Sequence, residues 1–255
     1  MTDLPRMSDL GDLLELLHSS PSLWRTLRAS GTEWTEPQLY DEAYHRGLDV
    51  KRPPFTHSGA KTRSTSVSAR STVSFAKDSS DNEPTADDSG GSAETWRLWI
   101  EQPDRRRVGF DVGLEQVTAV WVGDTWWSWS PSGGSATNNG EPNVHHGKGP
   151  SEPLIETTAL LAELAFEVEG RANLLGREVL KARATHRPLP TPRMALFGLG
   201  SGADDYLLSV DAERGVVLRS EARLRGKPFK VIEMTEIDFD LPLPPETFSP
   251  PGPEQ

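Results

Sequence analysis

The stretch 206-YLLSVDAERGVVLRSEARLRGKPFKVIEMTEIDFD-240 decides the fold class. Read with a period of two, it divides into three strands joined by two turns. Tyr206 to Val210 is the first strand, and the polar segment Asp211 to Gly215 turns the chain. In Val216 to Leu224, Val216, Leu218, Ala222 and Leu224 point one way while Arg219, Glu221 and Arg223 point the other. Arg225 to Pro228 reverse the chain into Phe229 to Phe239, where the apolar parity changes between Met234 and Ile237 and so predicts a bulge. Strands with one apolar and one charged face belong in an antiparallel sheet with one side against a core.

The same period runs through 95–130. Trp96, Leu98 and Ile100 alternate with Arg97 and Trp99, and Pro103-Asp104 makes a turn. Arg106, Val108 and Phe110 then alternate with Arg105 and Arg107. Val117 to Val122 and Thr125 to Ser130 flank Gly123-Asp124, a two-residue hairpin signal. A further strand reads over Arg177 to Thr185, a first one over Ser22 to Trp34, and an edge strand over Val67, Ala69, Val73 and Phe75.

Helices fall at the breaks. Leu10, Leu13, Leu14 and Leu17 follow i, i+3, i+4, i+7 behind Ser8, a candidate N-cap. Thr35 to Gln38 has the spacing of a capping box, with Gly47 as its C-terminal stop. Pro153 to Ala165 carries Leu154, Thr158, Leu161 and Ala165 on one face, whereas 131–152 reads as loop. Nine or ten strands at hairpin spacing and three short helices give a mainly β (α+β) chain: a single curved antiparallel sheet, or incomplete β-barrel, covered by short helices. One such domain is expected over 1–241, with a flexible Ser/Thr-rich insert at about 56–94 and a Pro-rich tail over 242–255.

Composition narrows the chemistry. The 255 residues carry 38 acidic against 27 basic side chains, a formal charge of -11, which repels a nucleic-acid backbone over most of the surface. With no cysteine, disulfides, thiolate nucleophiles and Cys-ligated metals are excluded. The first twenty residues include Asp3, Asp9, Asp12 and Glu15 and lack the pattern of a secretory signal, and no apolar run reaches transmembrane length. A cytoplasmic location is expected.

Catalytic and metal signatures are missing. His145-His146 sits in a Gly/Asn/Pro loop with no third ligand at usual spacing, and His57 and His186 read as solvated loop histidines. Gly198, Gly200 and Gly202 precede a strand rather than a helix, so they mark a sharp turn and not a phosphate loop. Ser201 is not in a nucleophile elbow. No enzyme, cofactor or metal is expected.

The segments 96-WRLWIEQPDRRRVGF-110, 123-GDTWWSWSP-131 and 206–248, in this order of elements, resemble the lipoprotein-carrier superfamily, LolA/LolB-like, which includes the RseB regulatory domain of bacteria. That resemblance implies a half-barrel with helices as a lid and a concave apolar side for acyl chains. It directs attention to Trp96, Leu98, Ile100, Val108, Phe110, Val120, Trp127 and Trp129 as ligand-lining residues, because indoles supply large apolar area. Arg105 and Arg107 are candidate anchors for a ligand's anionic group. The expected function is non-catalytic binding of a lipid or other hydrophobic small molecule; the alternative is a protein-interaction or regulatory module on the same scaffold.

Overall fold

A computed structural model of the chain describes residues 7–48, 92–112, 115–130, 134–138, 149, 151–187 and 198–249. Eleven strands form one sheet in the order β6-β5-β4-β3-β2-β1-β11-β10-β9-β8-β7, antiparallel at every pairing. The strands are β1 (Thr26–Thr35), β2 (Ser92–Glu101), β3 (Arg105–Val112), β4 (Glu115–Val122), β5 (Thr125–Ser130) and β6 (Gly134–Thr137), then β7 (Leu164–Leu174), β8 (Arg177–His186), β9 (Asp205–Asp211), β10 (Val217–Leu224) and β11 (Lys227–Phe239). β6 and β7 are its two free ends, so the sheet is open. The first and last strands, β1 and β11, meet at its centre and join two meanders into one surface.

The expected bulge is where the parity change places it. Ser30 pairs with Glu236 and Gly31 with Met234, which leaves Thr235 as the extra residue. Gly31 fits a second demand at the same point, because it pairs with Trp96 on β2 and the indole lies against its Cα.

The helices are α1 (Met7–Ser19), α2 (Pro37–Leu48), α3 (Glu152–Ile155) and α4 (Thr158–Glu163). Leu13 and Leu17 of α1, Leu154 and Ile155 of α3 and Leu160 of α4 join one core cluster with Leu27, Trp96, Leu98, Val108, Leu208 and Ile232 of the sheet. The Thr157 hydroxyl donates to the Leu17 carbonyl at 2.7 Å, tying α1 to the α3–α4 turn.

Several local expectations are corrected. β1 begins at Thr26, after a 3-10 turn over Ser20–Ser22. The cap of α2 is Glu36, whose carboxylate accepts the Leu39 N–H at 2.6 Å; Thr35 ends β1. Gly47 lies inside the last turn of α2 rather than beyond it, and that turn packs on Ser201 and Gly202, 3.2 to 3.5 Å from where a Cβ would stand. The single helix expected over 153–165 is instead two short ones, α3 and α4, interrupted at Glu156 and Thr157, and Leu164 and Ala165 open β7. β6 occupies part of the expected 131–152 loop. The edge strand expected over Val67 to Phe75 lies outside the described residues.

Helix α2 is held to the β10–β11 hairpin by charge. Arg46 Nη1 lies 2.6 Å from Asp204, the Arg225 N–H donates to the other Asp204 oxygen at 2.6 Å, and Arg225 Nη2 reaches Glu42 at 2.8 Å. The Arg225 N–H, and then Arg46, hold the Asp204 carboxyl below the usual carboxylate range; the Arg225 hydrogen bond does the same for Glu42. Carboxyls depressed in the folded state contribute stability above their unfolded pKa and lose it as pH falls through the folded value. Lowering the pH from 6 to 3 is therefore expected to raise amide exchange in α2 by about two- to threefold after correction for intrinsic rates, with β8–β10 much less affected. Exchange read by mass spectrometry checks this; equal protection of α2 at both pH values contradicts it.

Candidate functional site

Pairing carries each side chain's face from strand to strand, because residues directly opposite share a side of the sheet. One row runs Leu27–Ile100–Arg106–Trp121–Trp126, the next Ala29–Leu98–Val108–Ala119–Ser128, and a third Gly31–Trp96–Phe110–Val117. These rows belong to the helix-covered side. Trp96, Trp121 and Trp126 are buried in them, at 1%, 8% and 8% exposure. The opposite side carries Trp99, Arg105, Arg107, Val120, Trp127 and Trp129.

The residues expected to line a ligand site thus fall into two groups. Trp96, Leu98, Ile100, Val108 and Phe110 share the helix-covered face; Val120, Trp127 and Trp129 share the outer one. Arg105 and Arg107 are outward too, and each has a partner. Arg105 pairs with Glu101 at 3.1 Å. Arg107 lies 5.8 Å from the Trp99 ring and 5.7 Å from the Trp129 ring, and donates to the Thr247 carbonyl at 3.1 Å. Burial holds its guanidinium below the usual arginine value.

The middle arginine of the run is the one that faces the helices. Arg106 is 7% exposed and sits between Ile100 and Trp121 in its row. Nη1 donates to Glu156, in the turn between α3 and α4, at 3.3 Å, while among the described residues the buried Nε and Nη2 have no hydrogen-bond partner. Desolvation pushes its pKa down, opposed by the charges of Glu156 and Glu152. A buried guanidinium with two idle nitrogens suits a carboxylate or phosphate oxygen, since the cost of burying a charge falls when it is paired. The parity of Arg106 with Val108 and Phe110 was the signal in the sequence that could have singled it out.

Two shallow depressions of about 330 and 350 Å³ lie at the other end of the sheet. Arg177, Asp211 and Glu213 line the first, and Asp12, Glu15 and Arg171 the second, so both are charged and neither touches the aromatic rows. His186 is not a loop histidine: it ends β8, and its ring meets Tyr206 edge-on at 5.5 Å, with Nε2 at 3.3 Å from the tyrosine oxygen. Among the described residues there is no group of three His, Asp or Glu placed to hold a metal. None of their helices is long and apolar enough to cross a membrane.

An open antiparallel sheet with short helices over one side is found in known proteins. No family model matches the sequence, and no curated protein matches it either. Among solved structures, MucB aligns over 97% of this chain and 64% of its own, with a TM-score of 0.53 and 11% identity. The fold is similar to that of MucB. MucB from the Pseudomonas aeruginosa MucA/MucB complex aligns over 95% of this chain and 61% of that one, with a TM-score of 0.50 and 11% identity. This chain therefore spans less than two thirds of the MucB chains it matches. A LolA-superfamily protein from Nitrosomonas europaea aligns over 93% of this chain with a TM-score of 0.34 and 8% identity. At such identities the likeness to MucB is one of fold.

Proposed function

We propose that the chain is a non-catalytic binding protein that takes up a hydrophobic ligand with an acidic end, such as a fatty acyl chain, on the helix-covered side of its sheet. The observation that carries this reading is Arg106: a charge buried between Ile100 and Trp121, joined to the α3–α4 turn by one hydrogen bond and with two of its nitrogens unpartnered among the described residues. An apolar face with one convergent charge is what an amphiphile requires. The covering helices α3 and α4 have 4 and 6 residues, short enough to depend on packing for their own stability and so to move with it. The ligand's acidic group would replace Glu156 on Arg106 as the turn lifts.

Titration of delipidated protein with a fluorescent fatty acid tests this. Saturable binding is expected, and Arg106→Leu should weaken it about tenfold, the worth of one charge-assisted contact. Equal affinity of the two proteins would remove Arg106 from the reading, and absence of uptake by both would remove the ligand.

A second reading is a protein-interaction module. It is favoured by the likeness to MucB, which has been solved in complex with MucA.

A further inference from the structure

The outer face of the sheet is not uniform. Over β7–β11 it is a charge ladder: Arg183 pairs with Glu169 and Asp205, Arg223 with Asp205, and Arg219 with Glu221 and Glu233. Over β2–β5 it is aromatic, with Trp99 and Trp129 against Arg107 and Trp127 on the same face. The chain's own C-terminal segment lies on that aromatic half. The 3-10 turn Pro245–Phe248 packs on β3 and β4, and Phe248 is 4% exposed. Val120, which points outward from β4, is fully buried there, yet both it and Phe248 stand outside the main core. They form a second, small apolar centre on the far side of the sheet.

The way the segment is held has the features of peptide recognition. Arg107, stacked between two indoles, donates to a main-chain carbonyl, that of Thr247. Phe248 supplies an apolar anchor. Pro244 and Ser249, at φ -58, ψ 139 and φ -79, ψ 139, are in the polyproline II conformation on either side of the turn. Aromatic grooves bind proline-rich segments in this manner, because proline has little conformational freedom to lose. Residues 241–246 are exposed or half-exposed, so the segment is fixed at its far end by one side chain and one hydrogen bond.

We propose that this outer slot is a peptide-binding site for a proline-rich segment with an aromatic anchor, carried by a partner protein, and that residues 243–249 occupy it as an intramolecular plug. The site is on the opposite face from Arg106 and does not depend on the acyl-binding reading. Tethering raises the local concentration of the plug to the millimolar range, so a free peptide of the same sequence competes poorly until the plug is weakened.

The test uses the full chain and the capped peptide LPPETFS, residues 243–249, in isothermal titration. The Phe248→Ala protein is expected to bind it with a Kd of about 100 μM, and the wild type at least about tenfold more weakly. The peptide with alanine for phenylalanine should give no heat, and Arg107→Ala added to Phe248→Ala should weaken binding by at least about fivefold. Should Phe248→Ala fail to melt cooperatively, Phe248→Leu keeps apolar contact in the slot and allows the same comparison. No binding by the folded variant, or equal binding by variant and wild type, overturns the proposal. A concentration-dependent wild-type dimer in light scattering that Phe248→Ala abolishes also overturns it, since the occupant would then be a second copy's tail.

Discussion

Replacing Gly31 with alanine is expected to lower stability by about 3 kcal/mol, a fall in melting temperature of roughly 6 to 12 °C for a domain of this size. A Cβ at this position would lie 2.2 Å from Cζ2 of Trp96 and 2.3 Å from the Glu233 carbonyl oxygen. Neither can withdraw easily. Trp96 is 1% exposed in a close-packed row, and Glu233 lies on β11 beside the bulge where β1 and β11 change register. The strain therefore falls on the junction that joins the two halves of the sheet. Shortening the indole should relieve part of it: Trp96→Leu is expected to cost less in the Gly31→Ala background than in the wild type, a coupling of about 1 kcal/mol or more. Thermal melts of the four proteins read both effects. Additive losses would mean that the two residues do not meet as described.

Asp211→Ala is expected to cost about 3 kcal/mol, within the range for breaking a buried charge pair on one side. Asp211 is fully buried. Its carboxylate accepts from Arg177 Nε and from the backbone N–H groups of Glu213 and Arg214, the latter two at 2.9 and 2.8 Å. Arg214 in turn pairs with Asp240 at 3.1 Å, and its carbonyl accepts the Ser20 hydroxyl at 2.9 Å. One side chain thus fixes the β9–β10 turn on which the end of α1 and the exit from β11 both rest. Asp211→Asn keeps an oxygen for the two backbone donors and loses the charge on Arg177, so roughly half the loss is expected. Urea unfolding of the three proteins separates the turn from the ion pair; equal losses for Ala and Asn would assign the whole effect to Arg177.

The strands that were legible in the sequence are those with one wet and one apolar face. In β10, Arg219, Glu221 and Arg223 mark the outer side, and in β2 Trp96, Leu98 and Ile100 mark the inner one. The parity change near Thr235 gave even the bulge. β7 was missed because its opening residues, Leu164 and Ala165, extend the helical spacing of Leu154 and Leu161, and its later ones, Glu167, Glu169 and Arg171, are exposed at a sheet end. β6, with Gly134 to Thr137, has no apolar alternation; backbone pairing with β5 makes it a strand. The site was less legible. Parity separates Trp126 from Trp127 and Arg106 from its neighbours, but which parity meets the helices is settled by long-range packing that no local pattern encodes. The docking of the Pro245–Phe248 turn depends on β3 and β4, more than 120 positions away, Arg107 among their residues, and proline content alone suggested only an exit from the sheet.

The central claim, a hydrophobic ligand on the helix-covered face, is tested most directly by native mass spectrometry of protein purified without detergent. The expected result is a bound species of lipid mass that organic extraction removes and added fatty acid restores. A single mass equal to the bare chain, unchanged when fatty acid is added in excess, would contradict it.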